Sequence, residues 1–261
     1  MGLFRRLIGR EPAWTERWGM YPSGPEDRLA MYSVDLGAVD AAPVAKLPVR
    51  VDVEFTYRGD GASGMPADAE LVEIRSLEDA VDRAMKALGG AYVGRVLSGN
   101  QATMTGYLPP GVTAPQLDTL PSAGAVAPRL TLTPDPGWTR LVEELAPDEW
   151  QRNMIDDNGV LAELEQHGDR PAEARDVEYL GYFPDPATAE AAAAALRAEG
   201  FAVAYERDDE GEYVLQAVRR DPVAAPEVHA VTWLVRQTVE QYGGVYDGWG
   251  CTVQSRDFVD S

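Results

Sequence analysis

The side chains that most often carry catalysis are scarce in this sequence. It contains two histidines, His167 and His229, and a single cysteine, Cys251. A metal centre with nitrogen and sulfur ligands, or a nucleophile activated by histidine, needs several such residues brought together. We expect His167 to lie at a helix end and Cys251 to be a packed small residue of a strand. The sequence therefore predicts no catalytic residues, no metal site and no cofactor.

Carboxylates, in contrast, are plentiful: 43 Asp and Glu against 23 Lys and Arg give a formal net charge of −20. In so acidic a chain, neighbouring pairs such as Asp156–Asp157 and Asp208–Asp209 prove little, and we interpret most of them as solvated turn or cap residues. Asp169, Arg170 and Arg175 are expected to form a structural salt bridge. The negative charge argues against direct binding of nucleic acid, because proteins that bind phosphates cluster Lys and Arg.

One stretch near the C-terminal end has a composition suited to binding. Gly243–Cys251 contains four glycines, with Tyr246, Asp247 and Trp249 between them. Glycine allows positive φ and close approach, and aromatic rings often anchor partners. A Trp between two glycines is poorly shielded by its neighbours, so its ring must cover the core or face a partner. We predict that Tyr246, Asp247 and Trp249 contact a partner, with backbone hydrogen bonds to its own turn as the alternative role of Asp247.

The elements around this stretch predict a ferredoxin-like domain in residues 171–261. Hydrophobic periodicity and turn signals give the order β-α-β-β-α-β. This order folds as a four-stranded antiparallel sheet with two helices on one face. The predicted elements are a strand at Asp176–Phe183, a helix ending at Glu199, strands at Phe201–Arg207 and Tyr213–Arg219, a helix opened by Pro226, and a strand at Val245–Gln254.

The length of 261 residues favours two domains, and residues 13–170 predict a second α+β domain built from an antiparallel sheet with helices. Its helix after Ser76 is expected to bury Leu77, Val81, Met85 and Leu88. The other predicted elements are strands at Trp14–Tyr21, Arg28–Leu36, Val49–Tyr57 and Arg129–Thr133, a hairpin of Tyr92–Leu97 with Gln101–Leu108, and helices at Gly137–Leu145 and Pro147–Gln166, the last with a break near Asn158.

The N-terminal arm, residues 1–12, carries the one local basic cluster, Arg5, Arg6 and Arg10. A frayed terminus is the preferred interpretation, with contact to a membrane or an acidic partner as the alternative. No stretch reaches the roughly 18 apolar residues of a membrane span, and the first ten residues lack the apolar core of a signal peptide. A single cysteine fits a reducing compartment. We therefore predict a cytoplasmic, acidic protein that has no membrane partner.

The C-terminal region resembles the ribonuclease E inhibitor family, the proteins called regulator of ribonuclease activity B. The resemblance covers residues 175–254 and rests on Arg175–Tyr179, on Gly200–Phe201 and, most specifically, on Tyr246–Gly250. This family has no known enzymatic activity. The resemblance therefore implies a regulator that works by binding a ribonuclease.

The preceding region resembles a bacterial family of unknown function, family 695. That resemblance rests on Trp18–Tyr21, Gly64–Pro66, Asp135–Trp138 and His167–Asp169. No enzymatic activity is known for this family either. Together the two resemblances cover nearly the whole chain and imply a regulatory or interaction protein.

The leading hypothesis is a non-enzymatic protein whose ferredoxin-like domain binds a protein partner, a ribonuclease by resemblance, and modulates its part in RNA turnover. Besides Tyr246, Asp247 and Trp249, we expect Glu178 and Asp209 to compete for the basic, RNA-binding surface of that partner.

Two alternatives stay open. An enzyme or small-ligand-binding protein would place His167, Asp169 and Arg175 around a cleft between the domains. A homodimer would bury Trp249 under a second copy of the chain.

Overall fold

The computed structural model describes residues 14–25, 29–61, 63–113, 128–209 and 211–254. The chain divides into two compact units between Pro147 and Asp148, one helix earlier than the boundary expected after Arg170. Both units combine helices with antiparallel sheets, which confirms the predicted α+β class. The predicted arm at residues 1–12 lies outside the described residues.

The described part of the first unit holds six strands, two α-helices and a π-helical turn. They are β1 (Trp18–Ser23), β2 (Ala30–Asp35), α1 (Leu36–Ala41), β3 (Val49–Thr56), α2 (Asp68–Ala87), β4 (Ala91–Ser98), β5 (Gln101–Leu108), β6 (Arg129–Pro134) and the π-helical turn at Arg140–Leu145. The strands form one antiparallel sheet in the order β1-β2-β4-β5-β3-β6. The predicted hairpins and β3 are confirmed, whereas α1 lies between two predicted strands, where the sequence analysis placed no helix.

Helix α2 covers one face of this sheet. Leu77, Val81 and Met85 are buried as predicted, and Leu88 is partly buried. The predicted start at Ser76 is wrong, because the helix begins at Asp68. The carboxylate of Glu70 accepts hydrogen bonds from the backbone N–H of Ala67 (3.1 Å), and also of Arg58 (2.6 Å) and Gly59 (3.1 Å) in the preceding loop. This long-range capping fixes the helix start two turns earlier.

Tertiary contacts shape the segment before the π-helical turn. Asp135 caps this segment, because its carboxylate accepts hydrogen bonds from the backbone N–H of Thr139 (2.9 Å) and Arg140 (3.2 Å). Trp138 has a positive φ of 56° and its ring is fully buried. The ring stacks on Tyr107 with a centroid distance of 4.1 Å. The helix expected from Gly137 therefore begins only at Arg140.

The described part of the second unit contains three helices and four strands. They are α3 (Glu149–Gln166), β7 (Arg175–Phe183), α4 (Pro186–Ala198), β8 (Ala202–Arg207), β9 (Tyr213–Asp221), α5 (Glu227–Gln241) and β10 (Val245–Cys251). The sheet order is β10-β7-β9-β8 with every neighbouring pair antiparallel, which is the predicted ferredoxin-like arrangement. Helix α3 continues through Asn158 without the expected break.

The core of this unit lies between the sheet and its helices. Alternate residues of β7, including Val177, Tyr179 and Phe183, are buried against α4 and α5. The alanines of α4 are small enough to let the helix approach the sheet closely, and Val235 and Val239 of α5 complete the layer. Helix α3 packs beside α5. Within the described ranges, every helix is too short or too polar to cross a lipid bilayer.

Candidate functional site

Strand β10 carries a β-bulge in the glycine-rich stretch. Tyr246 pairs with Gly181 and Gly248 pairs with Leu180, so Asp247 is an extra residue without a partner in the register. Gly248 has a φ of 113°, which side-chain-bearing residues rarely adopt. The bulge changes the alternation of side chains. As a result Tyr246 and Trp249 both pack against the helix-side core.

The indole of Trp249 is tied to a buried carboxylate. Its Nε1 donates to Asp157 Oδ1 of α3 at 2.8 Å. Asp157 Oδ2 accepts from Thr232 Oγ1 (2.6 Å) and Asn153 Nδ2 (3.1 Å), and the Nδ1 of His229 lies 3.0 Å away. Four donors around one charge satisfy it without water. We call Asp157, Asn153, His229, Thr232 and Trp249 the Asp157 cluster; it joins α3, α5 and β10.

The cluster corrects one expectation. Asp157 is only 2% exposed, so it is not the solvated cap residue that the sequence suggested, whereas the adjacent Asp156 side chain is 72% exposed. The spacing of residues along α3 could have predicted that Asp157 is buried. Asn153 and Asp157 lie one helical turn apart and in line with the apolar Val160 and Leu164 of α3, so they belong to the buried stripe.

The ionisable groups near this cluster are poorly suited to catalysis. Burial, reinforced by the charge of Asp157, raises the pKa of the Tyr246 hydroxyl well above its usual value. Burial also raises the pKa of the Cys251 thiol, which packs against the core as expected. A neutral phenol and a neutral thiol are weak bases and nucleophiles. Within the described residues, no group of three or more His, Cys, Asp or Glu side chains is placed to hold a metal ion.

The five predicted contact residues do not form one surface. Tyr246 and Trp249 are half-buried on the helix side of the sheet. Glu178 is exposed on the opposite face, where its carboxylate accepts a hydrogen bond from Gln216 Nε2 (3.0 Å). Asp247 is exposed at the β10 edge, and Asp209 is exposed in the turn between β8 and β9, at the other edge.

Asp169 and Arg175 form the salt bridge expected from the sequence, and both side chains are almost fully buried. Arg175 also donates to the carbonyl of Thr252 (3.1 Å), and the backbone N–H of Gln254 donates to Asp169 (2.6 Å). Burial alone would raise the pKa of Asp169, but the hydrogen bond and charge of Arg175, together with the backbone N–H groups of Gln254 and Arg170, outweigh it and lower that pKa below its usual value. The pair fastens the segment after β10 to the start of β7. His167 is exposed and its Nδ1 lies 2.8 Å from the Glu163 carbonyl.

Carboxylates dominate the charged residues of this unit. Residues 148–261 contain no lysine, and carboxylates far outnumber arginines. Several arginines are committed to ion pairs, among them Arg175 with Asp169, Arg219 with Asp221 and Arg236 with Glu240. The surface that remains is acidic, and its field favours basic partners.

The comparisons with known proteins agree with this division of the chain. Residues 154–251 match the family model described as regulator of ribonuclease activity B, and residues 16–116 match the family of unknown function DUF695. Both predicted resemblances are confirmed, in the predicted order. Each match lies within one compact unit, and the first-named match includes most of α3. Comparison with curated proteins gives no significant match.

Proposed function

We propose that this protein is a non-enzymatic regulator that binds a ribonuclease through its second unit and lowers the activity of that enzyme. The observation that carries the proposal is the match of residues 154–251 to the regulator of ribonuclease activity B model. That segment forms most of the ferredoxin-like unit. The described side chains of this unit are better suited to binding a protein than to catalysis.

Charge supports a protein partner over RNA itself. A net charge of −20 repels phosphates, whereas it attracts the Lys and Arg that a ribonuclease presents to RNA. Glu178, Asp209 and Asp247 are exposed and lie on the unit that matches the regulator model. In this proposal these carboxylates bind the Lys and Arg side chains of the ribonuclease that would otherwise bind RNA.

The test is a titration of the full chain into purified ribonuclease E, with complex formation followed by calorimetry and cleavage of a labelled RNA followed in parallel. We expect a complex whose formation accompanies a loss of cleavage. The variant Glu178→Lys/Asp247→Lys should weaken the complex by at least about tenfold.

A matched control separates these two sites from the net charge. Glu165→Lys/Glu199→Lys makes the same change in charge at the exposed C-terminal ends of α3 and α4, where a lysine suits the helix dipole. It should bind nearly as the wild type does. Absence of any complex with the wild-type chain would refute the proposed function.

A further inference from the structure

The second unit has a sheet face that its own helices leave uncovered. In β7 and β9 the side chains that alternate with the buried ones point away from α4 and α5. The apolar ones on this side, Leu180, Tyr182, Val214 and Val218, are absent from the helix-side core. Val245 of β10 is 67% exposed. We call this side the open face.

The register shows that the two central strands of the open face are mostly apolar and that two of its three rows end in small residues. Three rows of residues cross it from β10 to β8: Val245, Tyr182, Val214 and Glu206; Gly248, Leu180, Gln216 and Ala204; Gly250, Glu178, Val218 and Ala202. In the second and third rows, glycine and alanine at the two edge strands leave no tall side chains beside the central strands, whereas Val245 and Glu206 end the first row. A broad, rigid surface could therefore approach the central strands.

Among the residues that the structure describes, none explains why position 250 is a glycine. A Cβ added at Gly250 would meet no atom within 4 Å, and its φ is not in the positive region. The neighbouring glycines differ: a Cβ at Gly181 would lie 3.0 Å from Val239, one at Gly244 would lie 2.6 Å from Phe183, and Gly248 has a positive φ. Glycine inside a strand weakens it and often marks the close approach of another molecule.

A groove of about 690 Å³ borders Gly250 on this side. Three carboxylates line it: Glu173, Asp176 and Glu178. Of the two lining arginines, Arg175 is buried in its pair with Asp169, and Arg220 lies 3.8 Å from Asp176. Glu173 is paired with Arg170, which leaves Glu178, an acceptor for Gln216, as the lining carboxylate available to a lysine or arginine side chain.

We propose that the open face around Gly250 is the surface that binds the ribonuclease. The occupant is a flat protein surface with an apolar centre, flanked by basic side chains, one of which enters the groove. This inference rests on the proposed function and adds the place of contact to it. Charge disfavours the other occupants, because RNA and a second copy of this acidic chain would both be repelled.

The decisive variant is Gly250→Gln, which places a side chain in the approach path while the chain itself has room for it. Ala194→Gln on the exposed side of α4 adds the same side chain on the helix side of the unit and is the matched control. With the full chain and purified ribonuclease E, we expect Gly250→Gln to lose at least about tenfold in affinity and Ala194→Gln to bind as wild type. Both variants should melt within a few degrees of the wild-type protein.

The outcomes separate this inference from the proposed function. If the wild type binds ribonuclease E and Gly250→Gln binds equally well, the open face is not the contact and only the inference fails. If the wild type binds RNA alone and Gly250→Gln abolishes that binding, the face belongs to a nucleic acid and the inference also fails.

A second measurement decides the case in which ribonuclease E does not bind. A photo-crosslinking amino acid is placed at Tyr182 on the open face or at Ala194 on α4, and cross-linked peptides are sequenced from cells. Capture at Tyr182 of a different ribonuclease, through a peptide that contains lysines and arginines, supports the inference, whereas capture there of a protein that is not a ribonuclease overturns it. Capture at Ala194 alone overturns it.

Discussion

At the scale of single residues, the second unit depends on a buried carboxylate that is surrounded by hydrogen-bond donors. Asp157 accepts hydrogen bonds from the side chains of three different elements, including the indole of Trp249. A buried charge is tolerated only where such donors surround it, and removing it would leave the donors without partners. The aromatic residue expected to meet a partner is thus also a part of the internal framework.

Adjacent aspartates allow a direct test of this framework. Asp157→Ala should destabilise the second unit by about 2–4 kcal/mol, because four buried donors lose their acceptor. Asp156→Ala removes an exposed carboxylate whose separation from Arg236 is 3.7 Å and should cost less than about 1 kcal/mol. Urea unfolding followed by tryptophan fluorescence measures both. Equal destabilisation by the two substitutions would contradict the role given to Asp157.

The salt bridge of Asp169 and Arg175 predicts a pH dependence. Arg175 holds the pKa of Asp169 below its usual value in the folded unit. The resulting stability is complete above the pH where an unfolded aspartate titrates, about 3.9, and is lost as the pH falls through the lower folded value. Asp169→Asn should therefore flatten the acid side of a plot of melting temperature against pH. Asp209→Asn, at an exposed turn, is the control and should keep the wild-type slope.

At the scale of elements, β10 combines a bulge that the fold needs with a glycine that it does not need. The bulge turns Tyr246 and Trp249 to the same side of the sheet, and its Gly248 has a φ of 113°. Gly250 lies two residues further in ordinary strand conformation with open space around it. The two positions should therefore respond differently to the same substitution.

Alanine at each of these glycines tests that difference. Gly248→Ala forces a side-chain-bearing residue into a strained conformation and should destabilise the unit by about 1–3 kcal/mol. Gly250→Ala should be neutral or slightly stabilising, because alanine loses less backbone entropy and meets no neighbour. Thermal unfolding of the two variants measures both effects. A loss at Gly250 as large as that at Gly248 would show that the chain itself requires glycine there.

Elements with strong local patterns could be predicted from the sequence, and those set by distant contacts could not. The order of the ferredoxin-like unit follows from alternation, the alanine-rich helix and glycine stops. The start of α2 depends on Glu70 reaching the backbone of Arg58 and Gly59, which no local signal reveals. The hydrogen bond from Trp249 to Asp157 joins residues 92 positions apart. Glu178, Asp209 and Asp247 are exposed, and their contact with a partner stays a prediction. The bulge that places Asp247 outside the strand register could not be predicted from the sequence.

At the scale of the whole molecule, two compact units each match a different family model. The unit matched by the regulator model lacks lysine, and the entire chain is strongly acidic. Association with a basic enzyme should then be steered by charge over long range. We expect the association rate with ribonuclease E to fall severalfold between low and physiological salt, with a smaller change in the dissociation rate. Stopped-flow fluorescence measures both rates. An association rate that does not change with salt concentration would contradict charge steering.

The central claim is that the protein regulates a ribonuclease by occupying its RNA-binding surface. The most direct measurement starts from ribonuclease E carrying a fluorescent RNA that it cannot cleave, to which the full chain is added while RNA release and complex formation are followed together. We predict that RNA leaves as the complex forms, over the same range of protein concentration. A complex that forms while the RNA stays bound would contradict the claim.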